Sequence, residues 1–61
     1  MKGGTKMKHY LFYDDEIEEN FLVGGTDEDD AYDTACWYFG APELIREVSE
    51  AEAESSGLDE Y

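Results

Sequence analysis

Positive charge is what this sequence lacks most. Only four of its 61 residues are Lys or Arg, against 17 Asp or Glu, and the formal net charge is −13. Three of those bases, Lys2, Lys6 and Lys8, fall in the first eight residues. From His9 onward Arg46 stands alone among the acids. Such a surface repels nucleic acid and anionic membrane, so direct binding to either is excluded. Cysteine is nearly absent too. Cys36 alone cannot form an internal disulfide, and Cys36 with the single His9 cannot supply the four ligands of a structural zinc site. A lone thiol fits a reducing cytoplasm. No apolar run approaches the roughly 18 residues of a membrane span, and the basic Met1–Lys8 segment has no apolar stretch that would make it a secretory leader. Met7 offers an alternative start, in which case Met1–Lys6 would be an extension.

Size excludes further classes. A chain this short forms one small domain and cannot enclose a catalytic cleft of ordinary volume. Domains of about 60 residues bury only about 60% of their unfolded surface and sit near the stability margin. High net charge with so little core favours disorder. Aromatic content argues the other way: five Tyr, three Phe and one Trp supply enough apolar mass for a small core.

The pattern along the chain predicts an α+β domain, an N-terminal antiparallel β-hairpin followed by two helices (ββαα). His9-Tyr-Leu-Phe-Tyr13 alternates with period two, Tyr10 and Phe12 facing one way, Leu11 and Tyr13 the other. Asn20-Phe-Leu-Val23 is a second short strand, ended by Gly24-Gly25, and the acidic residues 14–19 form the loop, with Ile17 near its tip. Thr26 reads as a helix N-cap, with Asp29 in the third helical position of a near capping box. Helix one should cover about 27–39, with Ala31, Ala35, Tyr38 and Phe39 on its apolar face, widened by Tyr32 and Cys36, and Gly40 closing it. Pro42 suits the first position of a second helix ending near Ser55-Ser56-Gly57, with Leu44, Ile45, Val48 and Ala51 inward. On that helix Glu43, Glu47, Glu50 and Glu54 would form one acidic stripe, and Arg46 would pair with Glu43 and Glu50. Residues 1–8 are then a basic extension, 9–57 the domain and 58–61 a tail.

Specific chemistry fails residue by residue. A calcium loop counted from Asp27 meets Ala31 at the fifth position, Tyr32 where glycine is needed and Tyr38 at the twelfth. Counted from Asp14 it meets Glu19 where glycine is needed and Gly25 where the bidentate Glu belongs. No carboxylate pair is marked out for hydrolysis, and a Cys36–His9 dyad has no third orienting group. Gly24-Gly25 is followed by acids, not by the lysine of a phosphate loop. Neither a cofactor nor a metal is expected, and an enzyme is the least favoured class.

The acids themselves remain. Helix starts favour one or two, yet Asp27, Glu28, Asp29, Asp30 and Asp33 crowd seven positions. Asp14, Asp15, Glu16, Glu18 and Glu19 fill the hairpin loop, and Glu43, Glu47, Glu50 and Glu54 the second helix. A net charge of magnitude about 2–8 keeps a small domain in solution, so −13 exceeds that need at a cost in self-repulsion. Helical carboxylates at i, i+4 stand about 5–6 Å apart at Cβ, against about 3.4 Å of axis per phosphate along one DNA strand. A folded array of them approaches the charge density of a duplex face. In size, charge and layout the chain resembles the small acidic DNA-mimic inhibitors encoded by phages, of the anti-CRISPR and anti-restriction type. That resemblance implies a non-enzymatic inhibitor in the host cytoplasm, bound to a basic nucleic-acid-binding protein. The favoured partner is a CRISPR Cascade subunit blocked at its PAM or duplex site. Two rivals stand beside it. One is an adaptor that binds a protein through exposed aromatics, with Trp37 as anchor, since a domain this small cannot bury nine aromatics. The other is an antitoxin-like neutraliser of a basic protein. A monomer or weak homodimer is expected.

Overall fold

Alternation at period two produces the hairpin where it was expected. In the computed structural model, which describes residues 7–61, strand β1 (Lys8–Asp14) and strand β2 (Glu19–Gly25) pair antiparallel, Tyr10 opposite Val23 and Phe12 opposite Phe21. The six-residue acidic segment is long for a tight turn, and the strands do extend into it at both ends, which leaves residues 15–18 as the turn. Glu18 N–H donates to the Asp14 carbonyl at 2.8 Å, and Glu18 closes the turn at φ 56°, a left-handed conformation unusual for a residue with a side chain. Of the basic extension expected over 1–8, residues 1–6 lie outside the described residues, while Lys8 opens β1.

Helix α1 spans Glu28–Tyr38, and its N-cap is Asp27, not Thr26. The Asp27 carboxylate accepts the Asp30 N–H at 2.9 Å, and the Asp30 carboxylate accepts the Thr26 N–H at 3.0 Å. The acidic side chain wins the cap because its charge also meets the positive helix end. Ala31 and Ala35 are buried against the sheet; Cys36 and Tyr38, expected on the same face, point outward. Small residues at the contact let the helix approach closely. A Cβ at Gly25 would come within 2.9 Å of the Ala31 nitrogen, so the end of β2 and the start of α1 depend on a glycine there.

The second helix is a correction. Residues 42–54 are not one helix: Pro42–Val48 is a strand, β3, antiparallel to β1 on the side away from β2, and only Glu50–Ser55 forms helix α2. The fold is α+β as expected, but the order is ββαβα. An isolated two-stranded hairpin is marginal, and β1 offered a second edge to pair. As a helix the segment would have set like charges at i, i+4. The register shifts at Leu11/Phe12, where Ile45 is the extra residue between Arg46, opposite Leu11, and Leu44, opposite Phe12. Ser49 caps α2, accepting the Glu52 N–H at 3.1 Å.

Each face of the sheet carries its own core. Tyr10, Phe12, Phe21 and Val23 pack under α1 with Ala31 and Ala35, joined by Phe39 and Leu44. Leu22 and Val48 pack under α2 with Ala53, joined by Leu11 and Leu58. Residues 58–61, read from the sequence as a tail, dock on β2. Leu22 N–H donates to the Asp59 carbonyl at 2.9 Å, Tyr61 N–H to the Leu22 carbonyl at 2.8 Å and Gly24 N–H to the Tyr61 carbonyl at 3.0 Å. This parallel contact covers the outer edge of β2. Gly57, at φ 75°, turns the chain out of α2 into it. Tyr61 places its ring edge-on to Phe21 and Phe39, which are themselves stacked at 3.8 Å between centroids. Among the described residues no helix is long and apolar enough to cross a membrane.

Candidate functional site: the acidic surface and the α1 ridge

One of the fourteen acids named from the sequence faces inward. Asp14 is 1% exposed, and its carboxylate accepts from the N–H groups of Glu16 (2.7 Å), Ile17 (3.2 Å) and Ala41 (3.4 Å). It ties the hairpin turn to the segment that enters β3. Its role is to hold backbone, and it presents no charge at the surface. Asp15, Glu16, Glu18 and Glu19 are exposed around the same turn.

The other acids divide among several surfaces. Asp27, Glu28, Asp29, Asp30 and Asp33 are exposed on α1, though Asp27 and Asp30 also serve the helix start. Glu43, Glu47, Glu50 and Glu54 are exposed but do not form the continuous helical stripe expected of them. Glu43 and Glu47 belong to β3, and the extra residue at Ile45 separates their directions. Glu43 lies beside Tyr13 on the α2 side; Glu47 lies beside Tyr10 on the α1 side. Glu50 and Glu54 sit on α2. What the fold does gather is Glu47, Glu28 and Asp27. Burial first, and then these three carboxylates in that order, push the Tyr10 phenol above its usual pKa. Two acidic groups therefore mark opposite ends of the sheet, the turn after β1 and the first turn of α1. A strand of seven residues lies between them, a separation of about 20 Å, or about six phosphate steps of one DNA strand.

Two basic side chains are engaged, Arg46 and His9. Arg46 does not pair with Glu43 or Glu50. Its guanidinium grips the Glu52 carboxylate, one of the two contacts being 3.2 Å. That bond holds Glu52 below the usual carboxylate range. Sequence reasoning missed Glu52 and Ser49, although Ser49-Glu-Ala-Glu52 has the spacing of a capping box. His9 pairs with Glu60 where the docked tail crosses the sheet edge.

Trp37 is 87% exposed and Tyr38 62%. Asp29, Asp33 and Trp37, at i, i+4 and i+8, form the outer ridge of α1, and Asp33, Cys36 and Trp37 line a shallow open hollow. The C-terminal end of α1 returns to the hairpin turn, where Gly40 lies against the Glu16 carboxylate. The ridge thus links the two acidic ends of the sheet. Among the described residues no three His, Cys, Asp or Glu side chains converge as a metal site would require. Comparison with known proteins finds no matching family model, no matching curated protein and no matching solved structure.

Proposed function

We propose that the protein is a non-enzymatic inhibitor that presents carboxylates in place of phosphates to a basic nucleic-acid-binding protein. The preferred target is the PAM or duplex site of a CRISPR effector complex of the Cascade kind. The observation that carries this reading is the one-sided charge of an ordered surface. Every acid named above except Asp14 is exposed on a strand, helix or tight turn, while Arg46 is bound by Glu52. Carboxylates fixed on a fold release counterions from a basic groove as phosphates do, with little chain entropy left to lose. Exposed single pairs contribute little, so the affinity is collective.

A test follows from that collectivity. Tagged protein is used to capture partners from a lysate of cells carrying CRISPR and restriction systems, washed at low and high salt, with and without competing duplex DNA. The expected outcome is a basic DNA-binding subunit released by salt and displaced by duplex. A partner that survives high salt and ignores DNA would sink the mimic reading. Exposure of Trp37 favours the second reading in that case, an adaptor held by aromatic contacts, with the charge serving only to keep copies apart. An antitoxin-like neutraliser shares the electrostatics and would show itself by the identity of the captured protein.

A further inference from the structure

The α1 ridge combines two things that a plain polyanion does not have. Trp37 exposes nearly its whole indole, and Asp33 lies one helical turn before it, about 5–6 Å away at Cβ. The inward face of the helix is already filled by Ala31 and Ala35, and among the described residues the ring is left 87% exposed. A second copy of the chain fits the ridge poorly. No Lys or Arg lies between His9 and Ile45, and symmetric pairing would set Asp29 and Asp33 against their own counterparts on a protein of net charge −13. Charge complementarity calls for a cationic occupant. An indole selects among cations, because a planar guanidinium stacks on it and still directs N–H donors sideways.

We propose that the Asp33–Cys36–Trp37 hollow is an arginine-reading pocket. A guanidinium of the basic partner stacks on Trp37 and donates to the Asp33 carboxylate. The inference rests on the reading of the acidic surface as a nucleic-acid mimic, and it adds a specific contact to it. Nucleic-acid-binding proteins stack arginine planes on unpaired bases beside a phosphate. Trp37 then stands for the base and Asp33 for the phosphate, so the surface copies a nucleotide and not charge alone.

Trp37 is the single tryptophan, so intrinsic fluorescence reads this position by itself. The full chain is titrated at moderate salt with oligo-arginine and with oligo-lysine peptides of equal length. Both are expected to bind the polyanion, but only oligo-arginine should quench and shift the Trp37 emission. Measured by isothermal titration calorimetry, which needs no tryptophan, Trp37→Ala should weaken oligo-arginine binding by about fivefold to tenfold and leave oligo-lysine binding unchanged. Asp33→Asn should also weaken oligo-arginine binding, whereas Glu54→Gln, an equal charge change on α2, should have a smaller effect. Trp37 packs against nothing in either core, and circular dichroism of each variant checks that the fold is retained. If oligo-lysine perturbs Trp37 as strongly, or Trp37→Ala leaves oligo-arginine binding intact, the pocket is refuted while the polyanionic reading survives. If neither peptide binds at low salt, both readings fail. A Trp37 shift that depends on the protein's own concentration would assign the ridge to self-association and overturn the proposal.

Discussion

Asp14 shows how one acid in a crowd of acids can have a different task. Three backbone N–H groups from two segments converge on its carboxylate in a nearly dry position. Asp14→Ala would leave those donors without a partner, and urea unfolding should show a loss of about 2–3 kcal/mol. Asp14→Asn keeps one acceptor oxygen and should lose less. Glu18 is the opposite case, a side chain in a conformation that suits glycine. Glu18→Gly should raise stability by about 0.5–1 kcal/mol in the same assay, even though glycine loosens the unfolded chain. Tyr10 carries a pH signature. Its phenol is raised above the ordinary value near 10 by burial and by Glu47, Glu28 and Asp27. Below the unfolded value both states are protonated and stability is full. As pH rises through the folded value the unfolded state releases its proton first and stability falls. Thermal melts from neutral to strongly alkaline pH should show this loss, and Tyr10→Phe should reduce it.

Elements were legible in the sequence where a local signal and the tertiary context agree. Tyr10, Phe12, Phe21 and Val23 alternate with period two, and their strands formed; the acid-rich start of α1 with Ala31 and Ala35 inward was equally plain. The segment from Pro42 read as helix because Glu residues dominate it and Leu44, Ile45 and Val48 recur at helical spacing. Those same three residues serve a strand once Ile45 becomes the extra residue, Leu44 going to the α1 core and Val48 to the α2 core. No local pattern announces an irregular register, because the partner strand creates it. Pro42 was ambiguous for a related reason: it suits the first position of a helix and equally the first position of an edge strand. The docked tail was hidden because Leu58 and Tyr61 are too few to show a period. Its weight is testable: Tyr61→Ala removes edge contacts to Phe21 and Phe39 and should lower stability by about 1–2 kcal/mol in denaturant titration.

At the scale of the whole molecule, folding and binding should respond to salt in opposite directions. Screening relieves the repulsion among acids at the turn, on α1 and on β3, so the melting temperature should rise with added salt. The same screening should weaken any complex held by those acids. Neutralising Asp15, Glu16 and Glu19 together, none of which holds backbone as Asp14 does, should have both effects at once. A relief of about 1 kcal/mol would raise the midpoint by about 4–8 °C, as scanning calorimetry would register. The placement of residues 59–61 beside Leu22 and Gly24 bears on how the protein is made. The sheet's last contacts join positions almost forty residues apart. Synthesis delivers the chain N-terminus first, so β1, β2 and α1 leave the ribosome before residues 59–61 do. While Tyr61 is inside, the outer edge of β2 stays open and the Phe21–Phe39 stack lacks its third ring. Folding is then completed only after that residue has emerged, and a complex that needs the finished surface has to form afterward.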